Sequence, residues 1–105
     1  MMCGSGSQIR KPAVAGQFYP GRREELVRLL DDFFVSASGH DRPDAKINAL
    51  IAPHAGYVFS GRQAAKAYRY LTESDYELAC IISPSHREYF PKISVYSGEA
   101  YKTPL

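Results

Sequence analysis

The sequence predicts an α/β chain, on three observations. An amphipathic stripe at 26–34 precedes a short apolar run at 46–52, and a second helical stripe leads to a second apolar run at 76–83. Both runs stop at a proline, Pro53 and Pro84, and a histidine follows each almost at once, His54 and His86. Strand, helix and strand over 46–83 is the size of one βαβ unit, whose strands run parallel with a right-handed crossover.

The elements follow in order. Residues 1–9 read as a disordered leader, and "MMCGSGS" has neither the basic start nor the apolar core of a secretory signal. "RKPAVAGQFYPG" (10–21) places two prolines and two glycines around Val14, Phe18 and Tyr19, an ordered turn. Leu26, Leu29, Leu30, Phe33 and Phe34 then fall on one helical face. Glu24 and Glu25 sit where the helix dipole favours negative charge. "SASGHDRPD" (36–44) ends that helix as a polar loop, and "KINALIA" (46–52) reads as a buried strand.

Ser60 is the expected cap of a second helix, with Ala64, Ala67, Tyr68 and Leu71 on its inner face. "TESD" breaks it, and "YELACIIS" (76–83) is the second buried strand. "KISVYSG" (92–98) alternates Ile93, Val95 and Ser97 as a half-buried strand does. Residues 10–105 thus form part of one small domain.

Composition narrows the function classes. With 45% hydrophobic and 23% charged residues the chain is ordinary globular material. Its net charge is +2, from 13 basic and 11 acidic residues with the basic ones scattered, which gives no nucleic-acid groove and no polybasic membrane patch. No apolar run approaches the roughly 18 residues of a membrane span. Two cysteines, Cys3 and Cys80, make no disulfide framework, so a reducing, cytoplasmic setting is expected.

The histidines carry the chemistry. In an open parallel sheet, ligands bind beyond the carboxyl ends of the strands, and His54 and His86 both lie there. Neighbouring strands run about 4.8 Å apart, close enough for two imidazoles to converge on one metal ion at roughly 2.0–2.2 Å. Pro53 and Pro84 stop the ladder, and Gly56 lets the chain leave sharply. Two other readings stand beside this one: hydrogen-bonded loop histidines, and a general acid–base pair.

His40, between Gly39 and Asp41, reads as solvated surface. Ser83 and Ser85 flank Pro84 without the G-x-S-x-G elbow of a serine hydrolase. Cys80 reads as a small hydrophobe packed inside its strand. Tyr57, Tyr89 and Phe90 either wall a substrate pocket or pack as core and rim. Arg87 either holds an anion or is solvated.

Four segments, "AVAGQFYPG", "IAPHAGYVFSG" with "AAKAYRYL", "IISPSHREYF" and "YKTPL", occur in the order seen in the Memo family, and the chain resembles that family over residues 10–105. The family includes the microbial AmmeMemoRadiSam system protein B, whose branch the "AGQFYP" segment resembles, and an animal cell-motility mediator. The resemblance implies a three-layer α/β/α sandwich with a mainly parallel sheet, similar to class III extradiol dioxygenases. It implies a divalent transition metal, iron or copper, held by His54 and His86, with a third ligand from far downstream. It also implies redox or dioxygenase-like activity in a full-length protein. The family's animal member is associated with phosphotyrosine-peptide recognition as well.

Family members are nearly three times as long, so the chain is expected to be a truncated, N-terminal part of a Memo-like domain, inactive alone. The missing C-terminal half would then complete the fold and the metal site. Unknown small molecules or peptides are the expected partners, with neither nucleic acid nor membrane. Tyr57, Arg87 and Tyr89 are the weaker candidates for a substrate pocket beside the histidines. The alternative function is a non-catalytic peptide- or protein-binding module using the same cleft.

Overall fold

The computed structural model of the chain describes residues 8–39, 43–72 and 75–105. Cys3, His40 and all but the last two residues of the expected leader lie outside them.

The first apolar stripe forms helix α1 (Arg23–Ala37). Arg22 pairs with Glu25 across its first turn at 3.4 Å. Leu26 and Phe33 are buried, Leu29, Leu30 and Phe34 half-buried, as the i, i+3, i+4 spacing requires. The helix stops where Ser38 leaves helical geometry and Gly39 takes φ +92°, a left-handed conformation that favours glycine.

Helix α2 (Tyr57–Tyr68) continues into a 3₁₀ turn at Arg69–Leu71. It starts earlier than expected: Gly56, not Ser60, is the residue at the cap position. A tertiary contact sets that start, because the Tyr57 N–H donates to the Phe18 carbonyl at 2.7 Å. The Ser60 hydroxyl instead donates backward to the Ala55 carbonyl at 3.1 Å. The buried line of α2 is Gly61 and Ala65, with Ala64 and Ala67 beside it, while Tyr68 is exposed.

The two helices pack on each other. Phe33 seats against Gly61, and Phe33, Ala37 and Ala65 form the core cluster. Across the same contact the Arg62 guanidinium donates to Asp32 at 3.0 Å and to Ser36 at 2.9 Å, and lies 5.4 Å over the Phe33 ring. Arg69 donates to the Ala37 carbonyl, supplying positive charge at the carboxyl end of α1.

The sheet differs from the expectation. Its strands are β1 (Ile9–Arg10) and β2 (Ala100–Tyr101), paired in parallel with Ile9 opposite Ala100. The segments 46–52, 76–83 and 92–98 form no ladder, and the last two contain bends at Glu77, Lys92 and Gly98. The first two nevertheless run side by side in the same direction. The Tyr76 hydroxyl donates to the Ile47 carbonyl at 2.6 Å near their starts, and His54 lies beside His86 just past their ends. The coarse architecture is α/β, two packed helices with a short parallel sheet.

Burial explains the missing ladder. Parallel strands require cover on both faces, and among the described residues only Leu26, Phe33, Ala37 and Ala65 are buried hydrophobics. Ile51 is 98% exposed, and Leu78, Ile81 and Ile82 are exposed with it. Cys80, expected to pack as a small hydrophobe, is a free, exposed thiol for the same reason. In 92–98 the pattern is inverted: Ile93 and Val95 are exposed, while Tyr96 and Gly98 are half-buried. The Tyr96 ring packs on Tyr101 at 4.7 Å and its hydroxyl donates to the Gln8 carbonyl at 2.7 Å, which turns that side of the segment inward.

Candidate functional site

His54 is carried by two anchored pieces of backbone. Upstream, Pro53 fixes the chain where the 46–52 segment ends. Downstream, Gly56 accepts N–H bonds from Phe59 and Ser60 at 2.9 and 3.1 Å, and Tyr57 is tied to the 14–19 turn. That turn is itself closed by Gly16 N–H to Tyr19 carbonyl at 2.7 Å, with Gly16 at φ +80°. The expected ordered turn at 10–21 is therefore present, and it braces the start of α2.

His86 sits on a side-chain-closed turn. The Ser85 hydroxyl donates to the Glu88 carbonyl at 2.6 Å and accepts the Glu88 N–H at 3.3 Å. The role of Ser85 is thus structural, holding the loop that bears His86 and Arg87.

The two imidazoles meet. Their ring centres are 5.3 Å apart with planes inclined at 39°. Metal–nitrogen bonds of roughly 2.0–2.2 Å, plus the distance from nitrogen to ring centre, keep two histidines on one ion within about 6.5 Å centre to centre. The observed spacing falls inside that limit. Both side chains are exposed. Among the described residues no cluster of three or more His, Cys, Asp or Glu forms a fuller donor set. Imidazole nitrogens are borderline donors that suit iron, copper and zinc alike.

His54 also forms part of the wall of a cavity of about 340 Å³, framed by Val14, Phe18, Tyr19, Phe33 and Tyr57. Tyr57 lies 5.4 Å from the Tyr19 ring and 6.5 Å from Phe33. Burial raises its phenol pKa above the ordinary value, and the neighbouring Tyr19 and Tyr68 add to the rise. The other aromatic and cationic candidates are not gathered here: Arg87 and Tyr89 are exposed and do not line this cavity. Phe18 and Phe33 line the cavity without having been marked as site residues. The signal for Phe18 lies in "GQFYPG", an aromatic pair inside a glycine–proline turn.

An α/β chain with paired histidines where two parallel segments end is the class defined by this fold and site. The family model for Memo-like proteins matches residues 10–105, and the chain belongs to that family. It is similar to MEMO1 family protein TV1383 of Thermoplasma volcanium, 41% identical over 97 residues that cover 92% of this chain and 35% of the relative. A MEMO1 family protein of Aquifex aeolicus is 38% identical over 97 residues, 92% of this chain and 34% of the relative. One from Pyrococcus abyssi is 45% identical over 100 residues, 92% of this chain and 33% of the relative. The chain thus spans about a third of the length of these curated relatives. No solved structure matches it. No helix among the described residues is long and apolar enough to cross a membrane.

Proposed function

We propose that this chain carries the two-histidine part of a transition-metal site in a Memo-like protein of redox or dioxygenase-like activity. The observation that carries the reading is the 5.3 Å approach of the His54 and His86 rings. His54 and His86 would hold iron or copper, and a further ligand would come from the rest of a family-length protein. When bound, such an ion supplies Lewis acidity and one-electron chemistry. The chain's own residues do the positioning: the Ser85 hydroxyl holds the His86 turn, and the bond from Tyr57 to Phe18 holds the start of α2 behind His54. The cavity walled by His54 is lined mainly by apolar and aromatic side chains, which favours an apolar or aromatic group beside the metal.

In a family-length protein the paired segments are proposed to become the parallel sheet of a three-layer α/β/α sandwich. Their common direction and exposed apolar residues support that reading. The free exposed thiol of Cys80 suits a reducing compartment.

The test is a Cu²⁺ titration of the 105-residue chain followed by electron paramagnetic resonance. Hyperfine coupling to two imidazole nitrogens is expected. It should fall to one in His54→Ala or His86→Ala and stay at two in His40→Ala. Unchanged coupling in the His54→Ala/His86→Ala double variant refutes the assignment.

A further inference from the structure

We propose that the cavity between the 14–19 turn, α1 and α2 binds an uncharged aromatic carbonyl compound, whose oxygen accepts a hydrogen bond from the Tyr57 hydroxyl. The cavity measures about 340 Å³, near the lower end of small-molecule pockets, which run from about 300 to 1,000 Å³. It therefore takes one ring with a short substituent. Phe18, Tyr19, Phe33, Tyr57 and Tyr68 surround that space with aromatic surface, which favours a planar ring as occupant.

The hydroxyls decide what the ring must carry. Elsewhere in the chain tyrosine hydroxyls are engaged with backbone carbonyls, Tyr76 with Ile47 and Tyr96 with Gln8. Among the described residues no group accepts from the hydroxyls of Tyr19, Tyr57 or Tyr68, all of which line the cavity. Tyr19 and Tyr68 both act electrostatically on the Tyr57 phenol, so these side chains are gathered around one space. The Ser60 hydroxyl is already committed to the Ala55 carbonyl. A ligand that closes over such donors has to offer an acceptor, because a donor cut off from water without a partner is destabilising.

Charge excludes the other ligand classes. No Lys, Arg, Asp or Glu lines the cavity, so a carboxylate or phosphate would be desolvated without a counter-ion. A quaternary ammonium would stack on the rings, but it has no lone pair for the hydroxyls and would face the metal-directed His54. A neutral aryl carbonyl compound meets both conditions. Its binding extends the aromatic preference proposed for the cavity and needs no metal.

The test is an NMR titration of the isotope-labelled 105-residue chain, in chelator, with acetophenone, cumene, benzoate and phenyltrimethylammonium as probes of similar size. Acetophenone should shift the amide signals of Phe18, Tyr57, Gly61 and Ala65 saturably. It should bind about threefold to tenfold tighter than cumene, the difference that one hydrogen bond makes. Tyr57→Phe should erase that preference while leaving the cumene affinity unchanged. No saturable shift at those amides, equal affinity for acetophenone and cumene, tighter binding of either charged probe, or a Tyr57→Phe variant that keeps the preference would each overturn the proposal. All but the last are read on the unsubstituted chain, so they stand even if the variant misfolds. Because chelator is present throughout, the result is independent of the copper titration.

Discussion

The His54 ring stands 5.3 Å from the His86 ring, across two segments whose other ends are joined by the bond from Tyr76 to Ile47. Each histidine is carried by a short turn closed by its own hydrogen bonds, so the pair is held from behind rather than by contacts between the rings.

Loosening one of those turns should therefore weaken metal binding without removing a ligand. Ser85→Ala deletes the hydroxyl that both donates to and accepts from Glu88. A hydrogen bond of this kind contributes about 0.5–1.5 kcal/mol. Cu²⁺ affinity should fall by about twofold to tenfold, measured by titration with the two-nitrogen spectrum retained. An unchanged affinity would mean that the turn positions nothing.

Gly61 tests the helix contact. A Cβ there would fall inside the van der Waals envelope of the Phe33 ring, which is 5% exposed and flanked by Tyr57 and Arg62. Glycine to alanine in an open helix interior gains up to about 1 kcal/mol. Overpacking a filled contact costs about 1–3 kcal/mol. Gly61→Ala should thus be net destabilising, with a lower urea midpoint by circular dichroism. A raised midpoint would show that the ring yields freely.

Tyr57 gives the chain an alkaline limit. Its folded-state pKa lies above the unfolded value of about 10 because burial disfavours the phenolate. Its contribution to stability is intact below that unfolded value and is lost as pH rises through the folded one. Thermal melts should be flat with respect to this group up to about pH 10 and fall above it. Tyr57→Phe should flatten that decline, and an identical decline in the variant would assign it to other groups.

The Arg62–Asp32 pair is expected to contribute little despite its good distance. Both side chains are more than half exposed, and exposed ion pairs measure about 0.2–1 kcal/mol. A double-mutant cycle of Arg62→Met and Asp32→Asn should give a coupling energy under about 1 kcal/mol. A larger coupling would mean that the contact with Ser36 and the stacking over Phe33 act cooperatively with the ion pair.

Much of the local structure was legible. The spacing of Leu26, Leu29, Leu30, Phe33 and Phe34 specifies α1, because a 3.6-residue period leaves one way to bury them. The start of α2 was not legible, since Ser60 has the chemistry of a cap, while the Phe18 carbonyl that organises the start lies far off in sequence. In 92–98 the alternation of Ile93 and Val95 pointed to the wrong inner face. The contact of Tyr96 with Gln8 and Tyr101 spans nearly the whole chain, and a local pattern carries no trace of it.

By itself, then, the sequence determined where α1 forms, where the apolar runs stop, and that a histidine follows each stop. These are consequences of side-chain period, proline geometry and turn chemistry, which act within a few residues. Only the tertiary structure decided that the two histidines meet, that α2 begins at Tyr57, and that 46–52 and 76–83 lie aligned but bare. Ladder formation depends on cover for both faces of a sheet, and the packed helices here bury their apolar stripes chiefly against each other.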